Sequence, residues 1–297
     1  MTNKIVDDER GKRIEIVEPP SADDVDRIRR GGVRSAWIKG FGMGSLPELA
    51  ALDGLIDDLN VVTLNLRSDA SVSGLPRLTA LSLQTYARDR IDFQRFESLR
   101  SLAFYWRPGA DTALGLPGLR HLTIWKCPYS DLAPFGRLTE LRSLTLNSAR
   151  IESLAGIEAL PHLESLFLGD DRRLVSLAPL GGGAPRLRGL DVRYCRSLRD
   201  ITPLRAQADL EELSLTDCGR IDSLAPVAQL RQLKRLWLYG TTVIGDGDLS
   251  MLLDLPKLHG TAFANRRHYS HRSEAVEAEL ERRHGPYVVS PGHTWLT

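Results

Sequence analysis

Apolar residues along this chain recur in one phrase, Leu-x-x-Leu-x-Leu. It is plainest at Leu210-Glu-Glu-Leu213-Ser-Leu215 and starts again at Leu233-Lys-Arg-Leu236-Trp-Leu238. The leading residue falls at Val61, Leu78, Leu99, Leu119, Leu141, Leu163, Leu187, Leu210 and Leu233, with weaker copies at Val33 and Leu258. From Leu141 to Leu233 the differences between successive numbers are 22, 24, 23 and 23. The Leu-x-Leu half alternates, which predicts a short strand with one buried face in each unit. The second half often reads Leu132-Ala-Pro134-Phe135, Leu177-Ala-Pro179-Leu180, Ile201-Thr-Pro203-Leu204 or Leu224-Ala-Pro226-Val227. Proline lacks a backbone donor and ends regular runs, so the return path is predicted to be irregular or a short helical turn. A single unit cannot bury its own leucines, whereas stacked units share a continuous core.

A period in the twenties with this phrase resembles the leucine-rich repeat family, and the Leu-x-Pro-Leu halves resemble its bacterial internalin-like subclass. The likeness covers roughly three-quarters of the chain. It implies an α/β fold: a leucine-rich repeat solenoid, a curved horseshoe with a parallel β-sheet on the concave face and short helices and turns on the convex face. The units led by Val61 and Leu78 stand only 17 residues apart, the difference of their numbers, and read as compressed.

Three parts are expected. Residues 1–32 form an N-terminal cap, with Ile14 and Ile16 in a strand over the first repeat. There Ser21-Ala-Asp-Asp24 is a variant capping box opening a short helix that Gly31-Gly32 ends. Residues 33–264 form the repeat array. Residues 265–297 form a C-terminal cap, in which Ser273 caps an amphipathic helix with Ala275, Val276, Ala278 and Leu280 on its apolar side and Gly285-Pro286 stops it. Inside the array, Ser45-Leu-Pro-Glu48 reads as a second capping box before Leu49, Leu52, Leu55 and Ile56. Asp246 to Leu258 reads as helix-like.

Composition narrows the function classes. A formal net charge of +1 over 297 residues gives no electrostatic case for nucleic acid or an anionic membrane. The charged start from Lys4 to Arg13 has no apolar stretch of the signal-peptide kind, and no run approaches the ~20 apolar residues of a membrane span. A cytoplasmic monomer is expected, which departs from the exported, anchored internalins.

Candidate chemistry is sparse. Cys127, Cys195 and Cys218 all occupy position nine of their units, counting the leading residue as one. Repeats resembling this one place an inward Asn or Cys there, so buried, reduced thiols are expected. His268-x-x-His271 lacks further metal ligands nearby. Asp170, Asp171, Asp191, Glu212 and Asp217 cluster on or near consecutive strands, suited to a basic partner or a cation. Gly181-Gly-Gly183 lacks the Lys-Ser/Thr of a phosphate loop. No nucleophile–base or metal constellation appears, so no catalytic residue, metal or cofactor is expected.

Alternation and the family resemblance put positions three, five, seven and eight on the concave face. That face then carries Trp37, Tyr105, Trp106, Trp125, Phe167, Trp237 and Tyr239, with Asp170, Asp191, Arg193, Tyr194, Glu212, Asp217 and Arg235 among them. Core-building does not ask for four tryptophans outside the core, and Trp, Tyr and Arg dominate binding energy at interfaces. The expected function is a non-catalytic protein-binding scaffold. In bacteria such a stand-alone module would suit an immunity or regulatory protein, by resemblance. A glycan- or peptide-binding module on the same aromatic platform is the alternative, and an enzyme is the third reading.

Overall fold

The computed structural model describes residues 2–9, 11–39, 44–63, 65–170, 172–182 and 187–286. Gly40, Leu64, Asp171, Gly183 and the tail with Val288, Val289 and Trp295 lie outside the described residues. The chain divides into two compact units, Met1–Trp125 and Lys126–Thr297.

The first unit opens on an antiparallel hairpin, β1 (Lys4–Asp8) with β2 (Gly11–Glu15). Helix α1 (Ala22–Gly31) follows. Its capping box is formed as the sequence predicts, Ser21 accepting from the Asp24 N–H, and Gly32 closes it in the left-handed conformation. Then come the parallel strands β3 (Ser35–Lys39), β4 (Asp58–Val62), β5 (Ala80–Gln84), β6 (Ser101–Tyr105) and β7 (His121–Trp125), each beside the next. β2 runs parallel to β3, and Ile14 and Ile16 are buried beneath it, as the alternation predicts.

The second unit carries β8 (Ser143–Asn147), β9 (Ser165–Gly169), β10 (Gly189–Arg193), β11 (Glu212–Thr216), β12 (Arg220–Ile221), β13 (Arg235–Leu238), β14 (Val243–Ile244) and β15 (Gly260–Phe263). β8, β9, β10, β11, β13 and β15 pair in that order, all parallel. β12 and β14 form a separate two-stranded ladder. Helix α2 (Ser273–His284) packs on β15.

The phrase explains the core. Positions one, four and six of nearly every unit are buried, for example Leu210, Leu213 and Leu215. The proline halves become 3-10 turns at Ala133–Phe135, Ala178–Gly181, Thr202–Ala206 and Ala225–Gln229, each with Pro in its first turn, where no helical donor is lost. Where the proline is missing, Gly156 takes its place at φ 95°. A Cβ there would meet the Ala133 nitrogen at 2.2 Å, so the coils approach too closely for any other residue.

Five expectations are corrected. The second repeat is led by Ile56, not Val61: Leu59 pairs with Leu81 and Val61 with Leu83, so the strand reads Ile56-x-x-Leu59-x-Val61. Val33, Ile56, Leu78 and Leu99 then follow at steps of 23, 22 and 21, their differences, and the compressed unit disappears. The stretch after Ser45 is one 3-10 turn, Ala50–Leu52, and Glu48 accepts from the Leu49 and Ala50 N–H groups rather than closing a capping box. The stretch before Leu258 is likewise one 3-10 turn, Ser250–Asp254. In α2 the cap position is Arg272; Ser273 is the first helical residue, and its hydroxyl donates to Glu277. Only Val276 and Leu280 of the expected apolar side are buried, because the helix meets the repeat along one narrow line.

The three cysteines are free and buried. The Cys218 Sγ lies 3.2 Å from the Val192 carbonyl oxygen, and the Cys195 Sγ 3.5 Å from that of Arg193. Burial pushes the Cys218 thiol up to about 12. Thiol titration of the native protein near neutral pH is therefore expected to label none of the three until denaturant is added. Rapid native-state labelling of all three would refute their structural role.

Candidate open-face binding site

In the first unit the open sheet face has, from β4 to β7, a floor of small side chains. The fifth-position row reads Trp37, Asn60, Ser82, Ala103 and Thr123 across β3 to β7. In the corrected frame Asn60 takes position five and Val62 position seven of the repeat led by Ile56. Along one side runs an aromatic column. Tyr105 stacks on Trp125 at 5.2 Å between ring centres, and Tyr86 meets Tyr105 edge-on at 4.9 Å. Tyr86 is half exposed and sequence reasoning passed over it. It stands at position nine of the unit led by Leu78, where other units carry cysteine, and that break in pattern was the available signal. Burial, aided by the Tyr86 hydrogen bond, holds the Tyr105 hydroxyl above the usual tyrosine range.

Two other tryptophans of this unit are placed differently. Trp106 packs 6.4 Å from the core ring Phe104, and its N–H donates to the Trp125 carbonyl. Trp37 has the Arg13 guanidinium 4.5 Å and the Lys39 ammonium 4.2 Å from its ring. Arg13 is itself held by Asp8 through two hydrogen bonds. Trp37 therefore fastens the N-terminal hairpin to the repeats and is not brought together with the Tyr105–Trp125 column.

In the second unit the fifth-position row reads Phe167, Asp191, Ser214 and Trp237. Asp191 is 1% exposed and grips Arg193 through Nε and Nη2, and the Arg193 guanidinium lies 4.9 Å over Phe167. Gly169 makes this possible, since a Cβ there would come within 2.6 Å of the Phe167 ring. Glu212 is 2% exposed and ion-paired with Arg235 beside it in register. Trp237 stacks on Tyr239 at 5.9 Å, with Tyr239 exposed.

Position eight has a backbone signature. Lys126, Ser148, Asp170, Tyr194 and Asp217 all have φ between 50° and 62°. In each, the N–H donates to the position-seven carbonyl of the following coil, extending the ladder by one bond. The left-handed conformation costs roughly 1–2 kcal/mol for a non-glycine residue, least for Asp or Asn. Tyr194 has no such allowance, yet it holds that position with its ring exposed.

The acidic residues have partners already. Asp170 pairs with Arg172 at 3.4 Å, and Asp217 accepts from the Thr241 N–H at 2.9 Å. Among the described residues no His, Cys, Asp and Glu group is arranged to hold a metal ion. His268 bonds the Ile244 carbonyl and His271 the Ser270 hydroxyl. No helix of the described residues is long and apolar enough to cross a membrane.

This architecture of stacked short parallel strands and 3-10 returns is the leucine-rich repeat fold. Solved structures agree. The chain is similar to an internalin, InlF, from Listeria monocytogenes, at TM-score 0.54 and 19% identity over 88% of this chain and 94% of that one. It is also similar to a leucine-rich repeat protein of Leptospira interrogans, at TM-score 0.50 and 16% identity over 85% and 77%. A third likeness is to a TDR receptor, at TM-score 0.57 and 17% identity over 84% of this chain and 50% of that one. No family model and no curated protein matches the sequence.

Proposed function

We propose that this protein is a non-catalytic scaffold that captures a folded protein partner on the open sheet faces of its repeats. One observation carries the reading: the Tyr86–Tyr105–Trp125 column, a stack of rings from three consecutive coils lying outside the core. Tyr194, Trp237 and Tyr239 supply further aromatic anchors in the second unit, and Asp170 and Asp217 supply charge for orientation and encounter. Phe167, Asp191, Arg193, Glu212 and Arg235 hold that surface rigid through their mutual pairs. The fold's likeness to an internalin and a receptor agrees with binding, and that of a bacterial immunity or regulatory protein is the role we assign to it.

Pull-down followed by mass spectrometry identifies the partner. Trp125→Ala and Trp237→Ala are then each expected to weaken its binding by about 2 kcal/mol or more, with unchanged circular dichroism. Two variants that bind as well as the parent would overturn the open-face reading.

A further inference from the structure

The second unit contains a cleft of about 410 Å³ between its last strand and α2, lined in part by Trp237, His259, Thr261, Glu277, Leu280 and Glu281. Local sequence creates it. Where β13 carries Arg235 and Trp237, the paired positions of β15 are Gly260 and Ala262, so the sheet face steps down beside the Trp237 ring.

Three properties of the cleft point to one kind of ligand. The first is backbone. The Gly260 N–H donates to the Lys234 carbonyl of the preceding coil, and the Phe263 N–H approaches the Ser273 hydroxyl of α2. Alternate residues of a parallel strand bond the same neighbour, so Thr261 turns its N–H and C=O away from β13. The second is an unmet polar group. Thr261 is 4% exposed, and its hydroxyl has no hydrogen-bond partner. Leaving such a group buried costs about 1–3 kcal/mol, so the edge of β15 beside α2 is not a fully satisfied seam. The third is charge. Glu277 and Glu281 stand one turn apart on α2, both exposed and neither ion-paired among the described residues. Arg235, the nearest cation in register, is neutralised by Glu212.

We propose that this cleft binds an extended basic peptide segment of a partner. The segment adds to the edge of β15 through Thr261. One of its Lys or Arg side chains lays its stem along Leu280 and its charge between the Trp237 ring and the two carboxylates. A cation is attracted by an indole face and by carboxylates at once, while an apolar or acidic side chain loses one or both attractions. Strand addition supplies affinity without regard to sequence, and the side chain supplies the selection. The cleft shares the Trp237 ring with the face proposed above, whereas Glu277 and Glu281 take no part in that reading.

The test is calorimetric titration of the full chain with blocked pentapeptides Thr-Val-Xaa-Val-Thr, where Xaa is lysine, norleucine or glutamate. The lysine peptide is expected to bind about ten-fold tighter than its norleucine isostere, as a charge-assisted contact requires. Added salt should shrink that ratio, because the carboxylates are exposed. Glu277→Gln with Glu281→Gln should remove the lysine preference while leaving circular dichroism unchanged. Equal binding of the norleucine peptide, no binding of any peptide, or a lysine preference that survives the double substitution would each overturn the proposal.

Discussion

Arg107→Met is expected to destabilise the protein by about 3–5 kcal/mol, the cost of leaving one member of a buried ion pair alone. Arg107 and Asp69 are 1% and 0% exposed at their side chains, and the Arg107 Nη1 meets the Asp69 Oδ2 at 2.5 Å. Nothing else within the described residues satisfies the Asp69 Oδ1 or the Arg107 Nε and Nη2. The Asp69 N–H in turn donates to Asp89 at 2.7 Å, so the pair ties together the loops that follow β4, β5 and β6. Arg107 occupies position nine of its unit, the inward place that Cys127, Cys195 and Cys218 fill in theirs. Asp69→Leu together with Arg107→Met should recover most of the loss, since replacing both charges by apolar groups is often neutral or stabilising.

The pH dependence of the single variant has a definite sign. Burial already pushes the Asp69 carboxyl up in the parent, with Arg107 opposing. Removing Arg107 takes that opposition away and raises the folded-state value further. A carboxyl raised on folding favours the folded state below its unfolded value, and that contribution is lost as pH rises through the folded value. Arg107→Met should therefore recover stability relative to the parent on mild acidification. Urea denaturation of both proteins at neutral and mildly acidic pH measures this. A deficit that is independent of pH, or absent at neutral pH, would show that the pair carries no such weight.

The second large effect is expected at α2. Leu280 is 1% exposed against the last coil, and Val276 is fully buried. Leu280→Asp places a carboxylate there without a partner and should cost about 3 kcal/mol or more. Removing residues 265–297 should uncover Leu252, Leu258 and Phe263 and cause aggregation. Ala278→Asp, on the exposed side of the same helix, should stay within about 0.5 kcal/mol. Thermal melts of these variants decide whether α2 acts as a lid on the core. A truncated protein that remains monomeric with an unchanged melting temperature would show that it does not.

The sequence by itself determined the strand, the return turn and the first cap, whose causes lie within a few residues of one another. Alternation at Leu213 and Leu215 made a strand, proline at 203 or 226 made the return a tight turn, and Ser21 with Asp24 opened α1. The shared position of the three cysteines foretold their burial. Features that depend on a neighbouring coil were decided only by the tertiary structure. Both Ile56-x-x-Leu59-x-Val61 and Val61-x-x-Leu64-x-Leu66 satisfy the phrase, and pairing with β3 and β5 selects the first, which sets Leu59 and Val61 in register with the buried Ala36, Ile38, Leu81 and Leu83. Trp37 stands in the fifth-position row, and only the fold brings Arg13, 24 positions earlier by subtraction, over its ring. Asp69 and Arg107 are 38 residues apart, and no local pattern announces their pairing. The cleft beside β15 likewise arises from Gly260 and Ala262 lying next to Arg235 and Trp237, since side chains on adjacent coils meet through the stacking of repeats and not through proximity along the chain.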